Sequence, residues 1–162
     1  MARVRCNCEN ILSNHSDNES DTLEVYSKKQ VDDILKNRPD MKFWDFSTDY
    51  EYPGYDIWQC PLCRRIICFK DGNNNASHVY KPAKNKPIAT ETSFERFEEV
   101  LAFSNKTIFD YTEKDVHNET TLADFLKQVE LPYRYFISND RRIIYCISQK
   151  NKQDSFVYEI EP

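Results

Sequence analysis

Four of the six cysteines fall in two close pairs, Cys6-Asn7-Cys8 and Cys60-Pro61-Leu62-Cys63. Thiolates are soft ligands, and two of them one or two residues apart converge on one point when the backbone between them turns. Each pair supplies half of a tetrahedral shell. Together, Cys6, Cys8, Cys60 and Cys63 read as a closed four-sulfur centre for a structural Zn²⁺, with no coordination position left for a substrate. A mononuclear iron in the same shell is the second reading. A redox dithiol is set aside, because such a Cys-x-x-Cys opens a helix and strand-like residues follow Cys63. Two unrelated pairs of buried thiols fit less well, since both pairs are close-spaced in one short chain. Arg64 stands where this kind of turn favours glycine, and a left-handed backbone there would cost roughly 1 kcal/mol.

Other residue types carry little chemistry. Cys68 and Cys146 lie among apolar strand residues and read as buried thiols. His15 sits in a polar loop, and His78 and His117 lack ligand-spaced partners. No Ser-His-Asp order, glycine-rich phosphate loop or paired-carboxylate signature stands out. The expectation is therefore a protein that is not an enzyme. No apolar run approaches a membrane span, and the opening Met-Ala-Arg-Val-Arg-Cys lacks the apolar region of a signal peptide. A cytoplasmic location is expected, where cysteines serve as ligands or buried thiols and not as disulfides.

Charge is unevenly spread. Residues 9–56 hold twelve acids and five bases, whereas 57–162 hold fifteen of each. The acidic excess lies between the two cysteine pairs. A nucleic-acid grip needs a basic face, so this balance argues against one. Within the excess, residues 40–56 mix acids with aromatics. Trp44, Asp45, Asp49, Tyr50, Glu51 and Tyr52 form a candidate partner-binding surface, since interface hot spots favour Trp and Tyr. The plainer reading is a loop that covers the core with its acids in water.

The elements that must position the cysteines follow from pattern. Residues 2–8 read as a strand into the first pair. Cys60–Cys63 reads as the tip of a β-hairpin flanked by Tyr55, Ile57 and Trp58 on one side and Ile66, Ile67 and Phe69 on the other, and 78–81 completes a meander. Leu23–Tyr26 is a strand. Ser27-Lys28-Lys29-Gln30 caps a helix with Val31, Ile34 and Leu35 on its apolar face, ended by Pro39. In the second half, Thr92-x-x-Glu95 is read as capping a helix with Phe94, Phe97, Val100 and Leu101 inward, and Thr107–Tyr111 as a short strand. Thr121-x-x-Asp124 starts another helix, and three strands follow at 133–138, 142–148 and 155–160.

The halves read as copies. Thr22–Val31 is matched to Thr107–Val116, Arg64–Ile67 to Arg141–Ile144, and Val79-Tyr80 to Val157-Tyr158. On this matching Ile137 and Asp140 replace Cys60 and Cys63. The expected fold class is α+β, with antiparallel β-meanders and a few helices, a zinc-ribbon knuckle in the first half and a degenerate internal repeat in the second. Residues 1–82 form the metal-holding half, 83–91 a linker, and 92–162 a metal-free half packed on the first, because units this small need a staple or a neighbour.

Cys6-x-Cys8 with Tyr55-Asp-Ile-Trp58-x-Cys60-Pro-x-Cys63-x-Arg-Ile-Ile-x-Phe69 resembles small bacterial zinc-ribbon proteins of immunity type, carried beside secreted polymorphic toxins. The resemblance covers roughly residues 1–82. It implies a small cytoplasmic protein that binds and blocks a cognate toxin without catalysis of its own. The alternative is a zinc ribbon that binds nucleic acid or a transcription component, which a mobility-shift assay across salt concentrations separates from the first. Neither reading involves a membrane.

Overall fold

The strand β5 (Ile66–Phe69) reads Ile-Ile-Cys-Phe, and all four residues are buried. A strand with no polar face must be covered on both sides, and its surroundings show how. The computed structural model describes residues 3–13, 22–48, 55–69, 76–84, 95–115 and 117–162. Outside these lie most of the 83–91 segment, the 71–75 turn, the Phe94 position and most of the 13–21 loop.

Eight antiparallel strands close a barrel in the order β3 (Thr22–Ser27), β4 (Tyr55–Gln59), β5, β6 (Ala76–Pro82), β10 (Phe156–Ile160), β9 (Ile143–Ser148), β8 (Tyr133–Ser138) and β7 (Phe97–Ser104), which returns to β3. A separate hairpin of β1 (Arg3–Arg5) and β2 (Ile11–Ser13) precedes it. Helices α1 (Lys28–Asn37) and α2 (Phe43–Thr48) link β3 to β4; α3 (Asn105–Lys114) and α4 (Leu122–Gln128) link β7 to β8. The α+β class with antiparallel meanders therefore holds, but the meanders close on each other as a barrel, which the sequence pattern did not show.

Alternation within each strand sorts the side chains. Val25, Ile57, Ile66, Cys68, Tyr80, Val100, Ile137, Ile144, Cys146 and Tyr158 pack as one interior cluster, drawn from all eight strands. Tyr26 and Phe103 point outward and join Val31, Ile34, Phe43, Phe46, Leu122 and Phe125 beneath the helices. Trp58, Ile67 and Phe69 point outward on the other side and meet Leu12 of the hairpin, with Cys6 and Cys60. Both faces of β5 are thus covered, one by the barrel interior and one by the hairpin.

The two halves repeat one layout, strand–helix–helix–three strands, and their ladders are reciprocal. Ser27 pairs with Val100 while Leu23 pairs with Ser104, and Val25 faces Ala102 at the centre. At the other seam Tyr80 pairs with Ile160 and Pro82 with Tyr158. Ser27 caps α1 and Ser104 caps α3, each accepting from the backbone N–H three residues on. Two corrections follow. Phe97–Ser104 is a strand, with Val100 inward and Leu101 outward, and not a helix. Residues 107–111 lie inside α3 and are not a strand, so the partner of Thr22–Ser27 is 97–104 and not 107–116. Glu98, Glu99, Leu101 and Ala102 favour a helix locally, but pairing to β3 and β8 overrides that preference.

Candidate metal centre

Two tight turns carry the cysteines, and they are built alike. In the first, between β1 and β2, the Cys6 N–H donates to the Asn10 carbonyl (2.8 Å) and the Glu9 N–H donates back to the Cys6 carbonyl (2.8 Å). In the second, between β4 and β5, the Cys60 N–H donates to the Arg65 carbonyl (2.9 Å) and the Arg64 N–H to the Cys60 carbonyl (2.8 Å). The residue after the second cysteine is left-handed in both, with φ 70° at Glu9 and 65° at Arg64. Neither is glycine, so each turn carries a local cost of about 1–2 kcal/mol.

The turns bring all four sulfurs within 4.8 Å of one another. Cys6 Sγ lies 3.4 Å from Cys63 Sγ, and Cys8 Sγ lies 3.6 Å from Cys60 Sγ. Four thiolates at metal–sulfur bonds of about 2.3 Å have tetrahedral edges near 3.8 Å, so the cluster has the size of such a shell. Four cysteines placed this way could hold a metal ion. Cys6 and Cys60 are buried against Trp58, Leu12, Ile67 and Phe69, while Cys8 and Cys63 are half-buried. Asn10 Nδ2 donates to Cys60 Sγ (3.7 Å).

The thiols do not titrate alike. Burial works against the Cys63 thiolate, yet the backbone N–H and side chain of Arg65, with the neighbouring thiols, bring it down to about 6. Cys60 is lowered too: burial opposes its thiolate, and the Cys63 and Leu62 N–H groups outweigh burial. Burial pushes Cys6 up to about 12. For Cys8, the Asn10 N–H favours the thiolate, but burial and the Cys63 and Cys60 thiols raise it overall. A metal bound by these four sulfurs would displace the protons that their thiols carry.

A second layer was not legible in the sequence. Arg65, beside Cys63, forms a two-pronged ion pair with Glu161: Nε to Oε2 is 2.9 Å and a terminal nitrogen to Oε1 is 2.9 Å. Asn7, between the first two cysteines, donates to the same carboxylate (3.0 Å). Glu161 follows β10, and its N–H donates to the Val79 carbonyl (2.7 Å). One carboxylate thus joins both cysteine turns to the seam where the barrel closes. An arginine beside a ligand cysteine was the available signal; nothing near residue 161 pointed there.

The second copy replaces sulfur with oxygen. Ile137 pairs with Ile144 as Gln59 pairs with Ile66, so Ser138, and not Ile137, occupies the place of Cys60. Ser138 Oγ accepts from the N–H groups of Arg142 and Ile143, both at 3.0 Å. Arg141 is left-handed there (φ 59°), as Arg64 is in the first copy.

The candidate partner surface is described in part. Trp44 and Asp45 are exposed on α2, with Phe43 and Phe46 turned into the core beneath the helices; Trp44 is 41% exposed. Asp49, Tyr50, Glu51 and Tyr52 lie outside the described residues.

Fold and site together define an α+β barrel protein with a four-cysteine cluster able to hold a metal. No helix is long and apolar enough to cross a membrane among the described residues. The family described as Domain of unknown function (DUF8617) matches residues 2–84, half of the chain, and the protein belongs to that family. The match spans the hairpin, both cysteine turns and the first copy of the repeat. No curated protein and no solved structure matches the chain.

Proposed function

We propose that this protein is a non-catalytic binding protein with a structural zinc ribbon at Cys6, Cys8, Cys60 and Cys63, and that it serves in the cytoplasm as an immunity protein against a cognate toxin. The observation that carries the structural role is the shell itself. Four protein sulfurs within 4.8 Å fill a tetrahedral ion's coordination, and two of them are buried in an apolar cluster. Such an ion joins the hairpin to the barrel and leaves no open position for chemistry. Zinc suits four thiolates and tetrahedral geometry.

The binding role rests on Trp44 and Asp45. Both face solvent from a helix whose other side is fixed in the core, and the segment around them holds the chain's acidic excess. Opposite charge speeds encounter with a basic partner, and a desolvated tryptophan slows release. A basic-cleft toxin such as a nuclease fits that chemistry. The test has two arms. Metal analysis of the purified protein should give one zinc per chain. In cells expressing the toxin domain encoded beside this gene, the wild-type protein should restore growth, and Trp44→Ala should restore it less while keeping its zinc. Absence of zinc removes the ribbon; no protection by the wild type removes the immunity role.

A further inference from the structure

The repeat makes the two ends of the barrel equivalent, yet among the described residues one is plugged and the other is open. The equivalence is set by the ladders. Phe156 pairs with Cys146 as His78 pairs with Cys68, and Tyr158 pairs with Ile144 as Tyr80 pairs with Ile66. Tyr135 pairs with Cys146 as Ile57 pairs with Cys68. Arg64 and Arg141 are the left-handed residues of the two corresponding turns.

At the end beside the cysteine turns, aromatic rings fill the mouth. Tyr133, Tyr135, Phe156 and Tyr158 line it, the Arg64 guanidinium lies 4.7 Å over the Phe156 ring, and only about 30 Å³ is left. Gln59 Nε2 donates to the Tyr158 hydroxyl (2.9 Å) and closes the floor. At the opposite end the interior position of Tyr135 is taken by Ile57, Gln59 gives way to Ile137, and Phe156 gives way to His78. The mouth there holds a cavity of about 260 Å³ lined by Cys68, Phe69, Ser77, His78, Tyr80, Ile137 and Arg141. Among the described side chains, smaller interior residues at this end leave space that rings occupy at the other.

We propose that this open mouth is a binding site for a small planar aromatic acid, with the ring in the cavity and the carboxylate on the Arg141 guanidinium. The plugged mouth argues for a ring, because there the fold meets the same space with rings and sets one of them under a guanidinium. The volume is below that of pockets for drug-sized ligands, which calls for a single-ring molecule. The acid is argued from the lining. Arg141 meets Glu98 through one terminal nitrogen (3.1 Å), with almost half of its side chain exposed. Planar guanidinium donors match a carboxylate. Among the neighbouring polar groups, the Tyr80 hydroxyl donates to the Arg141 carbonyl (2.7 Å), the Ser77 hydroxyl donates to the Cys68 carbonyl (3.1 Å), and burial holds the Cys68 thiol neutral, up to about 12, while Glu98 on the guanidinium and Asp140, whose charge reaches Tyr80, are the carboxylates with which a ligand acid competes. The site lies at the end of the barrel away from the four cysteines and does not depend on the metal or toxin readings.

Benzoate is the probe, titrated into the zinc-loaded full chain while the His78 and Tyr80 ring resonances are followed by NMR. Saturable shifts are expected with a Kd of about 1 mM, the range a ligand of this size reaches. Arg141→Gly removes the guanidinium and suits the left-handed backbone, so the fold is kept; it should weaken benzoate about tenfold, as loss of one charge-assisted contact does. Ile137→Phe, which fills the cavity, should abolish the shifts. The proposal is overturned if benzoate gives no saturable shift at tens of millimolar, if Arg141→Gly binds as tightly as wild type, or if benzyl alcohol binds as tightly as benzoate.

Discussion

Glu161→Ala tests the link between the cysteine turns and barrel closure. The wild-type carboxylate receives three contacts from Arg65, at 2.9 to 3.2 Å, and one from Asn7 at 3.0 Å. Its side chain is 18% exposed and that of Arg65 is 24% exposed. Exposed ion pairs contribute about 0.2–1 kcal/mol, and hydrogen bonds to charged groups about 1.5–3 kcal/mol. A two-pronged pair, four-fifths covered, belongs near the middle of that span, so the expected loss is about 2 kcal/mol. In a chain of this length 1 kcal/mol moves Tm by about 2–4 °C, which puts the shift at roughly 4–8 °C. Thermal melting of the zinc-loaded protein reads it directly. Arg65→Ala and the double variant complete a cycle, with a coupling of about 1–2 kcal/mol expected because the two groups touch. Zinc transfer to a chromophoric chelator should also quicken in Glu161→Ala, since Arg65 and Asn7 lose the group that orients them beside the ligand cysteines. An unchanged Tm with unchanged chelator kinetics would refute the reasoning.

Cys60→Ser should lose the metal and release the β1–β2 hairpin, since two strands of three residues are not stable alone; limited proteolysis should then cut within residues 3–13 before the barrel, and equal resistance to wild type would count against the clamp. Asp56→Asn addresses the outer face of β3 and β4, where Glu24 lies opposite Asp56 and accepts from the Tyr26 hydroxyl. Burial raises the Glu24 carboxyl, the Asp56 charge adds to that, and the Tyr26 hydroxyl pulls the other way. A carboxyl raised by folding has its full stability below the unfolded pKa and loses it as pH rises through the folded one. Removing the opposing charge should therefore stabilise the protein by up to about 1 kcal/mol, with the gain in Tm growing from pH 4 to pH 7; a constant gain across that range would rule the mechanism out.

Strong local signals were legible in the sequence. Ser27 and Thr121 cap helices where their spacing places them, and 133–138 is a strand with the bounds its pattern suggests. The Cys60–Cys63 turn falls between two strands because Ile57-Trp58 and Ile66-Ile67 alternate into covered faces on both sides. The failures share one cause. Phe97, Val100 and Leu101 are spaced for a helix face, but they lie on a strand whose run 100–103 is apolar on both faces, and such a run loses the period that marks a strand. Reading β7 as a helix leaves α3 to be a strand and sets Thr22–Val31 against 107–116, an element out of step; Arg64–Ile67 against Arg141–Ile144 is one residue off along the strand, and Val79-Tyr80 against Val157-Tyr158 is in register. Glu161 was silent for a different reason. Its partner Arg65 is distant in sequence and adjacent only because β6 and β10 close the barrel.

The placement of the four-cysteine cluster follows from the same closure. A free hairpin must be held to the barrel, and the Cys60–Cys63 turn faces it across the outward side chains of Trp58 and Ile67. Sulfur at that turn both accepts N–H groups from its own backbone and reaches across to the hairpin's thiols, which a hydroxyl cannot do through an ion of the same kind. At the equivalent turn Ser138 keeps only the first task, binding the N–H groups of Arg142 and Ile143. The backbone bend survives there with Arg141 still left-handed, so the bend does not require the metal. With a metal bound, the four cysteines would attach residues 3–13, and through Asn7, Arg65 and Glu161 that attachment would reach the last strand. Loss of metal should consequently be felt first at the hairpin and next at the β6–β10 seam, to which Glu161 ties the cysteine turns, while the β3–β7 seam should keep its amide protection against hydrogen exchange. Equal loss of protection at both seams after chelation would mean that the ion holds the whole barrel and not the hairpin alone.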